Sequence, residues 1–181
     1  MKQLISNRFS SARFLTPLLV AFIAVLLLST SASAFTDLKG KKIEIEKQLG
    51  DKKWSIVEIW ASDCHACRQH MPSMVKFDGK LKNARIVGIT LDGQEGITDA
   101  NTFVKEFGIK FKNIVSNPIE VNAWMQKTVG EGLIGTPTFI LFNPEGKLVA
   151  AQPGPVSTNS LETFIKENSN KEKSVDEKHA S

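Results

Sequence analysis

Residues 58–72 read EIWASDCHACRQHMP, and Cys64 and Cys67 within that stretch are the chain's two cysteines. Just ahead of them, WSIVEIWA (54–61) is rich in β-branched and aromatic residues and predicts a central strand. From Cys64 to about Leu81 the pattern predicts a helix, with Met71, Met74, Val75 and Leu81 on an apolar side and Pro72 kinking its middle. Cys64 then stands at a helix start, where unpaired backbone N–H groups and the positive end of the helix dipole favour a thiolate. Cys67 falls one turn later and is expected to be covered. Such a pair suits thiol–disulfide exchange. The exposed thiolate attacks a substrate disulfide, and the second thiol then attacks the first and releases reduced substrate. Run backwards, the same steps oxidise a dithiol.

Two cysteines at this spacing have other uses. With His65 and His70 nearby, a Cys/His metal site is conceivable, but structural zinc takes four ligands and a second cysteine pair is missing. Haem attachment requires a histidine directly after the second cysteine, and position 68 is Arg. A loop this small does not staple a domain. The reading is therefore a redox pair with no metal and no cofactor, because the cysteines themselves carry the two electrons. The acidic loop LDGQEGITD (91–99) lacks the ligand spacing of a calcium loop and is read as solvated.

The N-terminal residues set the compartment. Lys2, Arg8 and Arg13 precede an uninterrupted apolar run, LLVAFIAVLLL (18–28), and then STSASAF, with Ala32 and Ala34 in a small-x-small pattern. That is the form of a secretory signal peptide over residues 1–34, cleaved after Ala34. The alternative is an uncleaved anchor, although the run is short of the roughly 20 residues a membrane span needs. The segment holds three of the chain's 23 basic residues and none of its 19 acidic ones, so residues 35–181 carry 20 against 19, a formal charge of +1. The basic character thus belongs largely to the leader. No basic patch with interleaved aromatics suggests nucleic acid. Export places the cysteines in the periplasm, where disulfides form and persist.

Residues 35–168 read as one domain and 169–181 as a polar, disordered tail. An edge strand is expected at Ile43 to Glu46, a buried strand at 84–92, a helix at 99–108 and a short strand at FKNIVS (111–116). A helix opened by Pro118 follows at 118–129. Two strands joined by NPEG, Thr138 to Phe142 and Lys147 to Ala151, form a hairpin, and a helix at 157–167 closes the domain. This alternation implies an α/β fold with a mixed sheet covered on both faces. Trp54, Trp60 and Trp124 are assigned to the core or the rim of the site, and Trp60 is counted among the substrate-contacting residues. No coiled coil or dimerisation arm is visible, so a monomer is expected.

EIWASDCHACRQHMP together with GTPTFILFNPEGKLV (135–149) resembles the thioredoxin superfamily, and more narrowly its exported TlpA/ResA-like thiol–disulfide oxidoreductases. The combination carries the likeness: C-x-x-C after a strand, Pro72 eight residues beyond Cys64, and a distal Gly-Thr-Pro before a hairpin. It covers roughly residues 40–168, and the material at 92–130 resembles the insertion of the exported branch.

The resemblance implies a thioredoxin-like fold, with Cys64 attacking, Cys67 resolving and Pro137 as a cis-proline. The cis bond turns the Thr136 backbone toward an extended substrate. Pro72 becomes a structural kink. Glu58, six residues before Cys64, matches a buried acid that manages the resolving cysteine's proton. Burial would raise its proton affinity into a useful range. Implied partners are cysteine-containing exported proteins, including apocytochrome c in cytochrome c maturation, and a membrane thiol carrier as electron donor.

Two departures leave the direction of electron flow open. Glu at 58 resembles the strongly oxidising branch, and Asp63 stands where many relatives have Trp. A protonated His65 would favour the thiolate and a more oxidising pair, whereas Asp63 acts oppositely. The readings are a reductase, a dithiol oxidase or isomerase, and a thiol metal-binding module.

Overall fold

The structure, a computed structural model, describes residues 35–179, with side chains through residue 171. The segment read as a signal peptide lies outside the described residues. Six strands form one sheet: β1 (Thr36–Asp37), β2 (Trp54–Trp60), β3 (Ala84–Thr90), β4 (Lys112–Val115), β5 (Thr138–Phe142) and β6 (Leu148–Pro153), in the order β1-β4-β3-β2-β5-β6. Four helices complete it: α1 (His65–Phe77), α2 (Ile97–Phe107), α3 (Pro118–Thr128) and α4 (Thr158–His179). Strands β2, β3 and β4 run parallel, joined by crossovers that contain α1 and α2, while β5 and β6 add an antiparallel hairpin. The expected NPEG turn closes it, with Gly146 at φ 77°.

All seven residues of β2 are buried, and the sheet separates two apolar clusters. Trp54, Ile56 and Trp60 point to the face where α1, α2 and α4 bring Cys67, Met71, Phe103 and Leu161. Val57 and Ile59 point to the other face, where α3 brings Val121 and Trp124. Glu58 shares the alternation of Ile56 and Trp60, so it is directed into the helix-rich face rather than toward water.

Three sequence expectations change. Ile43 to Glu46 is not an edge strand. The segment makes a single bridge, Lys42 to Thr36, and turns into a 3-10 turn at Glu46–Gln48. Its alternation is real, since Ile43 and Ile45 are buried, but β1 already occupies the outer edge of β4. Helix α1 ends at Phe77 rather than near Leu81, because Gly79 takes a left-handed φ of 75° two residues later. Helix α4 continues to His179, through the segment expected to be disordered. That segment contains neither Pro nor Gly and is rich in Lys and Glu, residues of high helix propensity.

Gly88 sits opposite Glu58 in the β2–β3 register. A Cβ there would stand 2.2 Å from Asn113 Oδ1 and 2.8 Å from Trp60 Nε1, the two atoms that form a buried hydrogen bond of 3.2 Å. Gly88→Ala is expected to cost about 1–3 kcal/mol through overpacking and disruption of that bond. A urea-denaturation midpoint equal to that of the native chain would contradict it.

Candidate redox site

Cys64 and Cys67 form a disulfide, with their Cα atoms 5.2 Å apart. Cys64 itself is the N-cap of α1: its backbone is extended (φ −75°, ψ 108°), and Sγ accepts the Cys67 N–H at 3.1 Å. The helix therefore starts on sulfur, and an N–H at the positive end of the helix dipole already points at the atom that becomes anionic on reduction. The two cysteines differ in access: Cys64 is half-buried and Cys67 fully buried. Of the two sulfurs' residues, only Cys64 keeps surface that an outside partner can reach.

The loop leading to Cys64 is held by a residue that sequence reading left in a solvated loop. Asp92 accepts from Ser62 N–H at 3.1 Å and Ser62 Oγ–H at 2.7 Å, and also from the Thr90 hydroxyl. Its position at the C-terminal end of β3, next to the strand that ends in the cysteine loop, was the available signal.

The register Ile59–Thr138 brings the start of β5 beside the end of β2, so Thr136 and Pro137 lie next to the turn from which the cysteine loop departs. The Thr136–Pro137 peptide is cis. Pro137 C=O accepts from Gly154 N–H at 2.8 Å, and Thr138 Oγ1 donates to Gly135 C=O at 2.6 Å. Thr136 lies ahead of the β5 ladder and is half-buried. His65, the first residue of α1, and Asp63 are exposed. Pro72 lies inside α1.

Trp60 is not at the rim. It is fully buried, stacked on Phe103 with ring centroids 4.5 Å apart, and its Nε1–H donates to Asn113. It offers no surface to a substrate and contributes instead to the packing beneath α1.

Glu58 is fully buried, and neither of its carboxyl oxygens has a hydrogen-bond partner among the described residues. It faces His70 of α1, whose Nδ1 lies 3.6 Å from Glu58 Oε1. That exceeds a firm hydrogen bond but is within reach of a charge. The cost of desolvating the carboxylate pushes the Glu58 proton affinity up, and His70 pulls partly against it. Glu58 in turn holds the His70 imidazole above its ordinary value. His70 entered the sequence reading only as a conceivable metal ligand. Its spacing from Cys67 by one helical turn placed it on the same side of α1, but its partner on β2 was visible only in three dimensions.

A mixed sheet whose central strand delivers a C-x-x-C disulfide to a helix start, beside a cis X-Pro turn, defines a thioredoxin-fold disulfide exchanger. The model of the AhpC/TSA family matches residues 29–151. The thiol-disulfide oxidoreductase ResA of Bacillus anthracis is 32% identical over 132 residues, covering 72% of this chain and 71% of that protein. Its counterpart from Bacillus subtilis is 23% identical over 129 residues. A thiol:disulfide interchange protein from Bacteroides sp. superposes with a TM-score of 0.59 at 25% identity, covering 74% of this chain and 85% of that one. A thioredoxin-family thiol:disulfide interchange protein from Chlorobium tepidum gives 0.60 at 23%, covering 73% and 89%. The chain belongs to the AhpC/TSA family and is a thiol–disulfide oxidoreductase of the ResA type, with Cys64 and Cys67 as its redox pair.

Two predictions concern stability. The folded chain holds protons on Glu58 and His70 more tightly than the unfolded chain, since both proton affinities are raised. It therefore binds more protons than the unfolded chain, and stability falls as pH rises. The loss begins above the ordinary Glu value of 4.5 and continues past the ordinary His value of 6.5, until both raised groups have given up their protons. Urea midpoints should decline from pH 5 to 9, and Glu58→Gln should flatten that slope; an equal slope in the variant would refute the assignment. Asp92→Ala should cost about 1.5–3 kcal/mol, as expected for hydrogen bonds to a charged group, and chemical denaturation measures it.

Proposed function

We propose that this oxidoreductase works as an exported reductase of protein disulfides. Its substrates are cysteine-containing exported proteins, with apocytochrome c as a representative, and a membrane thiol carrier re-reduces it. Reduced Cys64 attacks one sulfur of the substrate disulfide as a thiolate, and the other substrate sulfur leaves and takes a proton. Cys67 gives up its proton and attacks Cys64. The Cys64–substrate bond breaks, and the second substrate sulfur leaves with the electron pair and is protonated. Two electrons pass to the substrate, and the enzyme disulfide reforms. An extended substrate segment lies along Thr136 and Pro137, and exposed His65 follows Cys64 at the helix start. Function as a monomer in the periplasm, after cleavage at Ala34, completes the reading.

The direction rests on one observation, the charge around Cys64. Asp63 is exposed immediately before it, while Arg68, one turn along, pairs with Glu106 and stacks over Phe103 and Phe107. A strong oxidant needs a stabilised thiolate. Here the helix start supplies that stabilisation, and the residue directly before Cys64 is the acid Asp63. The second reading, a dithiol oxidase or isomerase, is favoured by Glu58, His65 and Thr136.

The reduction potential against glutathione separates the two. A value near that of thioredoxin, about −270 mV, is expected, whereas one near about −120 mV would overturn the reductase reading. Cys67→Ser should accumulate mixed disulfides with its substrates through Cys64, and Cys64→Ser should accumulate none.

A further inference from the structure

The buried pair behind the cysteines has a feature that the exchange reaction alone does not explain. His70 is held at one ring nitrogen and faces Glu58 with the other. Nε2 lies 2.7 Å from the carbonyl oxygen of Val156, in the segment between β6 and α4, so Nε2 carries a hydrogen and donates it. Nδ1 is buried and faces Glu58 at 3.6 Å. With Nε2–H committed, neutral His70 presents a lone pair to Glu58. A lone pair facing a carboxylate in an apolar cluster is repulsive. The arrangement is favourable with one proton between the two groups, either on the carboxyl and aimed at Nδ1 or on Nδ1 opposite a carboxylate. The ring is further held edge-on to Phe139, at 5.2 Å between centroids.

The surroundings leave these two groups to each other. Gly88 stands beside Glu58 on β3 and Phe139 on β5, and neither carries a charge. Charged side chains of the adjoining elements pair with one another: Arg68 of α1 with Glu106 of α2, and Lys166 of α4 and Lys80 of the turn after α1 with Glu162. On the same face, Cys67 lies one turn before His70 on α1 and in the same apolar cluster, and it carries a thiol proton once the disulfide is reduced.

We propose that His70 is a positioning residue for the exchange reaction: held by the Val156 carbonyl, it shares a single proton with Glu58 and thereby sets the protonation state that Cys67 meets. This deepens the reading of Glu58 as the proton acceptor for Cys67. When Cys67 gives up its thiol proton, the pair passes from one proton to two and gains a unit of positive charge next to the new thiolate. As the Cys67–Cys64 bond forms and the Cys64–substrate bond breaks, the negative charge leaves with the substrate sulfur and the pair returns its extra proton to solvent. The Val156 contact also ties this unit to the substrate side, since Gly154, two residues earlier, donates to the Pro137 carbonyl. One short segment thus holds both the imidazole and the cis-proline turn.

The test separates proton sharing from simple support. In His70→Gln the side-chain amide reaches the Nε2 position and keeps the bond to Val156, but cannot ionise. The Glu58 carboxyl is followed by carbon-13 NMR in the full chain as pH is varied, without substrate. Because His70 lowers the cost of ionising Glu58, its loss should shift the Glu58 titration upward by at least one pH unit, a tenfold rise in proton affinity. The pH profile of mixed-disulfide release should move the same way. His70→Asn, which places an amide near Nδ1, should likewise fail to restore the native profile. An unchanged Glu58 titration in His70→Gln would reduce His70 to a packing residue. In the native chain, nitrogen-15 shifts must show His70 protonated at Nε2 and its titration linked to that of Glu58; two independent single-site curves would overturn the proposal even if no variant folds. These titrations need no turnover, so an absence of reductase activity would defeat the proposed function and leave this result standing.

Discussion

Strand β2 is paired along all seven residues with β3 and along five with β5, and it is buried throughout. This double pairing is the constraint on which the rest of the site depends. It fixes the end of β2, and the short turn from Trp60 can then deliver Cys64 to only one place, the first turn of α1. The same pairing gives Glu58 no route to water. A carboxyl group on a strand with sheet on both edges and helices over its face must find its partner inside, and His70 is the partner α1 supplies. The chemistry of the pair is thus arranged by backbone hydrogen bonds that involve no reacting atom.

The two cysteines receive opposite treatment from one helix. Cys64 caps it and keeps part of its surface in solvent. Cys67 lies inside the apolar cluster with Met71 and Phe103. A buried thiol has difficulty losing its proton, because its anion would be desolvated. The acceptor proposed above, the Glu58–His70 pair, would answer that difficulty at the energetic cost of burying polar groups without firm hydrogen bonds.

Much of this was legible in the chain. The cysteine stretch, the apolar strands on either side and the distal Gly-Thr-Pro sufficed to place the fold, because strand burial and turn chemistry are local. Glu58 was legible as a candidate because it stands six residues before Cys64, where the resemblance implies a buried acid, while alternation with Val57 and Ile59 left its face open. What could not be read depended on contacts distant in sequence. Ile43 and Ile45 alternate like a strand, yet the edge they would have joined is taken by Thr36 and Asp37. Trp60 lies next to the cysteine loop in sequence but faces Asn113, 53 residues away. Asp92 resembled any acid in a polar loop until the end of β3 was placed beside Ser62. His70 needed both Glu58 and Val156 for its role to emerge.

The close approach at Gly88 bears on how this site varies between lineages. Trp60, Gly88 and Asn113 come from three adjacent strands and interlock through one hydrogen bond and one missing methyl group. Any side chain at 88 displaces the indole or the amide, and a smaller residue at 60 leaves the amide oxygen without its donor. These positions are therefore expected to covary as a set. Because Trp60 immediately precedes the loop that carries Cys64, drift in that set would be felt at the sulfur.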